Sequence, residues 1–287
     1  MQSILKQSGG WDIVWINKKQ IEQLSAAVKG YQNGQNVDIR DHQEGPFSVL
    51  KNDIYSLVQS QNEQLSQTEA QRDILAEYMA DISHQLKTPI TSMKIMMDLL
   101  EDAEPEKQQE FMQNMKFSLS KMEWLIAALL KMAKLDAKAI AFTQQKVKVS
   151  ELLQAVMPSI EIMLDIHNQS VILEQDVEIN CDKRWTIEAL TNIVKNAMEH
   201  SPQGGTIRID SGVNPMYEWI AVTDSGMGLR KEQYASLFKR FENSTNENGF
   251  GIGMPLALAI MKGQNGDIDV ELGGNGKGAT FLLKFFR

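Results

Sequence analysis

The feature that most constrains this chain is a pair of long stretches whose apolar residues recur every three or four positions. The first starts at Phe47 and includes Leu50, Ile54, Leu57, Leu65, Leu75, Met79, Ile82, Leu86, Met93 and Leu100. The second carries Phe111, Met115, Leu119, Met122, Ile126, Leu129 and Met132. That spacing puts apolar side chains on one face of a helix. From Leu75 to Leu86 the steps are 4, 3 and 4, the a/d seam of a coiled coil. Gln61 and Gln64 fall near the seam upstream, so pairing is expected to be looser there. Between the two stretches EDAEPEKQQ, residues 101–109, reads as a charged turn. Two such helices make a hairpin, whose wide apolar face cannot be buried by one copy. Pairing two hairpins into a four-helix bundle buries it, which predicts a homodimer.

The rest of the chain has a different texture. Residues 19–31 form a short amphipathic helical stretch, followed by a polar connector with Gly and Pro, YQNGQNVDIRDHQEGPF. After Leu135 short strands and helices mix: a strand at KVKV, a helix from about Ser150, and two strands within VILEQDVEIN, 171–180. A helix follows over 182–200 with Asp182 as its N-cap, then strands TIRID and WIAVTD ending at Asp210 and Asp224. Residues 225–253 are rich in Gly, Asn and Ser; a helix at about 254–262 and strands DIDVEL and ATFLLKFF close the chain. The expected architecture is α+β and multidomain: a dimeric helical hairpin, then an α/β-sandwich domain. The expected boundaries are 1–69, 70–138 and 139–287.

Composition removes several function classes. A 287-residue chain with 43% hydrophobic residues folds rather than staying disordered. A formal charge of −8 argues against nucleic acid as the main partner. Cys181 is the single cysteine, so no intrachain disulfide exists and a core role is expected. The longest apolar run, WLIAALL at 124–130, is too short to cross a bilayer. Either the protein is soluble, or it is the cytoplasmic portion of a bacterial protein whose membrane segment lies outside this chain.

Four clusters in the last 140 residues carry chemistry. Asn192 and Asn196 stand four apart on one helix face, where two carboxamides can hold phosphate oxygens and a hydrated cation. Asp224 ends an apolar strand and is followed by Gly226 and Gly228. Its carboxylate can accept a hydrogen bond from an exocyclic amine such as that of adenine. Gly249, Gly251 and Gly253 alternate into a helix whose N-terminus favours phosphate. Gly276, Gly278 and Thr280 lead into the last strand. Taken singly, these are an exposed Asn pair, a turn, a weak glycine pattern and a hairpin. There is no Walker-type loop.

In this order the four resemble the N box and three glycine boxes of the Bergerat (GHKL) ATP-binding fold, and FKRFE, 238–242, resembles its F box. The resemblance covers about 150–287. It implies ATP and Mg²⁺ bound through Asn192, Lys195, Asn196, His200, Asp224, Gly226, Gly228, Gly249, Gly251, Gly253 and Thr280, with Asn196 at the metal. It also implies a lid over roughly 229–248.

His84 completes the pattern. Ile82 and Leu86 lie on the inferred seam, so His84 between them points outward, where a neutral imidazole can act as a nucleophile. HQLKTP, from His84 to Pro89, resembles the H box of sensor histidine kinases. With the downstream boxes the resemblance spans about 70–287. It implies autophosphorylation of His84 from ATP, then transfer to an aspartate of a response regulator, with phosphatase activity toward that regulator. Residues 17–69 resemble a HAMP-type relay; a plain coiled-coil linker is the other reading. Two alternatives stay in view: another Bergerat ATPase, and a scaffold that binds or dephosphorylates regulator without phosphorylating itself.

Several positions depart from the family pattern. Gln85 stands where Glu or Asp is usual, and an amide cannot take a proton from the imidazole. Glu199 stands where related N boxes carry Lys, with Lys195 nearby as a substitute. Met254-Pro255 replaces Gly-Leu. Thr88 lies one turn after His84, where a related residue helps to position water; alternatively its hydroxyl bonds to its own helix. Pro89 lacks the N–H that would bond to Gln85, which predicts a bend or loosening over 85–89.

Overall fold

The computed structural model describes residues 18–32, 38, 40, 46–101, 103–242, 250–273 and 278–287. The chain divides into two compact units, Met1–Met79 and Ala80–Arg287. In the first, helix α1 covers Lys18–Gln32 and helix α2, Pro46–Leu100, begins with Pro46. Pro suits a first helical turn because its missing N–H has no intrahelical partner there. Arg40 pairs with Asp38 at 2.7 Å and lies 4.3 Å over the Tyr55 ring. The Arg40 hydrogen bonds bring the Asp38 carboxyl down to about 2. Leu57 and Leu65 are each exposed, and residues 61–69 are exposed throughout. Most of the polar connector lies outside the described residues.

α2 continues through Pro89 without interruption, so the missing hydrogen bond does not end the helix. In the second unit, helix α3, Pro105–Asp136, again has Pro in its first turn. After it come strand β1 (Gln145–Lys148), helix α4 (Val149–Val156), helix α5 (Glu161–His167) and strands β2 (Ser170–Leu173) and β3 (Glu178–Cys181). Helix α6 (Lys183–His200), strands β4 (Thr206–Val213) and β5 (Tyr217–Thr223), helices α7 (Lys231–Leu237) and α8 (Gly253–Gly263) and strands β6 (Gly266–Glu271) and β7 (Thr280–Phe286) follow. β1 and β3 form a small antiparallel pair. The main sheet has the order β2-β4-β5-β7-β6, parallel only between β2 and β4.

α4, α6 and α8 pack together, and the core of this unit joins them to the main sheet. Leu152 and Val156, Leu190, Ile193 and Ala197, and Leu256, Ala257 and Ile260 are fully buried in the same core as Ile207, Ile209, Ile220, Val222, Phe281 and Leu283. Alternate residues of β4 and β7 are buried, the period-2 signature of a sheet with one covered face. This is the α/β sandwich expected from the sequence. Cys181 is buried, and burial pushes its thiol up to about 11, which leaves it inert as expected of a core cysteine.

Three expectations need correction. The helix read from Ser150 is two helices, because Met157–Ser159 tightens into a 3-10 turn at Pro158. β4 runs past Asp210 to Val213, since Gly212 lets the Trp219 ring lie across it and Ser211 pairs with Ile220. Part of the lid expected as loop over roughly 229–248 is helical, as α7.

Candidate active site

His84 is exposed on α2, while Ile82, Gln85 and Leu86 are half-buried. Leu86 packs against the core, which turns His84 outward as its spacing from the seam requires. Thr88 shares the exposed surface. Its hydroxyl donates to the His84 carbonyl at 3.4 Å, a long and weak bond.

α6 starts where Asp182 accepts from the Trp185 N–H at 3.0 Å, the cap its sequence predicts. Ile193, Val194 and Ala197 bury one face, leaving Asn192, Lys195 and Asn196 half-buried on another. Asn192 donates from Nδ2 to the Glu188 carbonyl at 2.9 Å. Its Oδ1 faces Gly253, where a Cβ would stand 3.1 Å away. The glycine-rich entry to α8 therefore lies against the Asn face of α6.

Asp224 follows β5 and is 6% exposed. Its Oδ1 accepts from the Gly226 N–H at 2.8 Å, and its Oδ2 from the Ala279 N–H at 3.1 Å. Burial raises the Asp224 pKa; these two donors and the nearby His200 act against that rise. A Cβ at Gly278 would overlap the Asp224 carbonyl, so glycine is required where the last loop crosses. Thr223 and Thr280 hydroxyls meet at 2.9 Å beside it. Gly228 and Gly251 have positive φ, +80 and +64, which glycine adopts without strain. His200 and Glu199 are exposed. Gly249, Gly276 and the lid residues 243–248 lie outside the described residues.

The arrangement fits an adenine nucleotide. One end offers a buried carboxylate and close-packed glycine backbone for a base carrying an amino group. The other offers carboxamides and a lysine; Lys195 and Asn196 have no side-chain partner among the described residues. Among those residues no trio of His, Cys, Asp or Glu stands close enough to hold a metal alone. Mg²⁺ here would take its ligands largely from phosphate and water, with Asn196 beside it.

Several contacts around the site had no signal in the sequence. Phe250, next to Gly251, stacks on Trp124 of α3 with centroids 6.0 Å apart, and Lys121 lies 4.8 Å from the ring centroid. Lys131 pairs with Glu188 at 2.7 Å, one turn before Asn192. Ser201 and Ser225 bond where α6 ends.

Residues 74–138 match the family described as the His Kinase A (phospho-acceptor) domain. Residues 181–287 match the Histidine kinase-, DNA gyrase B-, and HSP90-like ATPase family. The chain is 26% identical over 222 residues to sensor histidine kinase WalK of Bacillus subtilis, covering 73% of this chain but 36% of WalK. Its fold is similar to histidine kinase ThkA in complex with response regulator TrrA, with TM-score 0.59, 18% identity, 92% of this chain and 83% of the other. It is also similar to full-length ShkA in complex with AMPPNP, with TM-score 0.54, 21% identity, 73% of this chain and 45% of the other. A phosphoacceptor hairpin with an exposed histidine, followed by this ATPase domain, places the chain in the family of two-component sensor histidine kinases.

Proposed function

We propose that this chain transfers the γ-phosphoryl group of ATP to His84 and then to an aspartate of a response regulator, and that it also dephosphorylates that regulator. The observation that carries this reading is an exposed His84 on the hairpin in the same compact unit as the Asp224, Asn192 and Asn196 site. A neutral imidazole nitrogen attacks the γ-phosphorus, an N–P bond forms, and the bond to the ADP oxygen breaks. Bound Mg²⁺ would neutralise charge on the phosphates. Asp224 accepts from the base amine, while Asn192 and Lys195 hold phosphate oxygens. Gln85 accepts a hydrogen bond from the imidazole and so orients it; the imidazole proton leaves to water. Support for the ligand and partner comes from the similar folds captured with AMPPNP and with a response regulator.

We place the active form as a homodimer. Ile95, Leu99, Leu119 and Ile126 on the hairpin are each about half exposed, an apolar surface that a second hairpin would cover. The deciding experiment incubates the chain with γ-labelled ATP and Mg²⁺. An acid-labile, base-stable label that disappears in His84→Ala is the expected result. Absence of label from the unsubstituted chain removes the kinase reading.

A further inference from the structure

One hydroxyl ties the base end of the site to its phosphate end. Ser201 follows α6, and its Oγ donates to the Ala197 carbonyl at 2.8 Å. The same Oγ accepts from the Ser225 backbone N–H at 3.1 Å. Ser225 is the neighbour of Asp224, and its own Oγ accepts from the Thr206 N–H at 3.1 Å where β4 begins. Space around this link is minimal. A Cβ at Gly226 would overlap the His200 carbonyl, and one at Gly205 would overlap the Ser225 hydroxyl. Gln169, buried below, donates from Nε2 to the carbonyls of Met198 and Ser201, both at 3.0 Å, and approaches that of Pro202 at 3.2 Å. The last turn of α6 is thereby fastened on one side to β2 and on the other to the turn that carries Asp224.

We propose that Ser201 is a positioning residue that sets the spacing between Asp224 and the Asn192–Asn196 face. This rests on the nucleotide reading above. A nucleotide is a base and a phosphate chain on a short tether, so it gains from both subsites only when their separation matches its own length. α6 supplies one subsite and the β5 end supplies the other. The Ser201–Ser225 bond is a direct polar link between them. Without the Ser201 hydroxyl, the Ser225 N–H loses its acceptor in a part-buried position and the turn is free to shift. Neither serine needs to touch the ligand.

Fragments that fill one subsite do not sense the spacing, and this separates positioning from general damage. The test measures binding of ADP, adenosine and inorganic tripolyphosphate to the full chain with Mg²⁺. Ser201→Ala is expected to weaken ADP about tenfold while each fragment changes by less than about twofold. The KM for ATP should rise with kcat at saturation unchanged. Ser201→Thr, which restores the hydroxyl, should restore ADP binding. Should Ser201→Ala fail to fold, Ser201→Cys, whose thiol is a poor acceptor for the Ser225 N–H, carries the same expected pattern. Equal weakening of all three ligands, or unchanged ADP affinity, overturns the proposal. A wild-type chain that binds no ADP overturns the nucleotide reading itself, which is a separate result.

Discussion

Arg240 binds Asp136 through one guanidinium nitrogen that reaches both carboxylate oxygens, at 2.9 and 2.8 Å. Asp136 is the last residue of α3, and Arg240 lies in the segment resembling the F box, within the lid expected over roughly 229–248. Phe250, stacked on Trp124 of the same helix, lies just after the lid. Arg240 and Phe250, on either side of residues 243–249, therefore both rest on the second hairpin helix.

The Asp136–Arg240 pair should contribute little by itself. Asp136 is half exposed, and exposed pairs are worth roughly 0.2–1 kcal/mol. A double-mutant cycle with Asp136→Asn and Arg240→Gln, read by denaturant unfolding, should give a coupling inside that range. It should fade in about 1 M salt, where the screening length is near 3 Å. A coupling above about 2 kcal/mol, or one indifferent to salt, would show that the pair is shielded from solvent.

Phe250 is 5% exposed although glycines flank it in the sequence, so its burial comes from its contacts on α3 and the core. Phe250→Ala removes a buried ring and should cost about 3 kcal/mol of unfolding free energy. Trp124 is 41% exposed, and Trp124→Ala should cost less, about 1–2 kcal/mol, because it loses chiefly the stacked pair and part of its apolar area. Denaturant titrations of both variants check the order; a larger loss at Trp124 would contradict it.

The sequence showed the helices that carry the site but not the contacts that fix it. Asp182 announced the start of α6, and the 3.6-residue period located both hairpin helices, because caps and amphipathic faces are local properties. Asn192, Asn196, Asp224 and the glycines were legible because they form local patterns in a fixed order. Ser201 with Ser225, or Trp124 with Phe250, were not. Each pair is separated by many residues, and a serine or an aromatic alone has no pattern to read. The continuation of β4 past Asp210 was hidden for the same reason: Gly212 reads as a breaker until Trp219 lies across it.

Asp224 couples the stability of the fold to pH. Burial raises its folded pKa above the ordinary 3.8, so the fold favours the protonated carboxyl. Its stabilising contribution is fully present below the unfolded pKa and is lost as pH rises through the raised folded value. Asp224→Asn does not titrate. Wild type should therefore lose stability relative to Asp224→Asn as pH rises from about 4 toward neutrality. Thermal unfolding of both across that range measures it; a gap that moves the other way refutes the assignment. Nucleotide binding should follow the opposite course, since the base amine needs the ionised acceptor.

Thr88 has a hydroxyl only weakly engaged with its own helix, on the same surface as His84. It is free to turn toward a water beside a docked regulator. Thr88→Ala should lower dephosphorylation of the phosphorylated regulator about tenfold and leave His84 labelling within about twofold. Equal loss of both activities would mean that the substitution disturbs the helix instead.

Gln85 is expected to limit the chemistry at His84. Neutral imidazole must lose its remaining ring proton as the N–P bond forms, and a developing imidazolium needs a base or a negative charge nearby. An amide offers a carbonyl acceptor but neither takes the proton nor neutralises the charge. Gln85 is half-buried beside an exposed His84, so a carboxylate at this position would keep enough solvent contact to remain ionised while reaching the ring. Gln85→Glu changes one functional group at nearly constant volume, which leaves the helix packing intact. Autophosphorylation should speed up by about tenfold, the low end of what a positioned base supplies. The gain should appear in the rate at saturating ATP rather than in the KM, because position 85 lies on the hairpin and not in the nucleotide site. It should also shrink at low pH as the glutamate protonates. A rate that is unchanged or reduced in Gln85→Glu would show that proton removal does not limit this kinase.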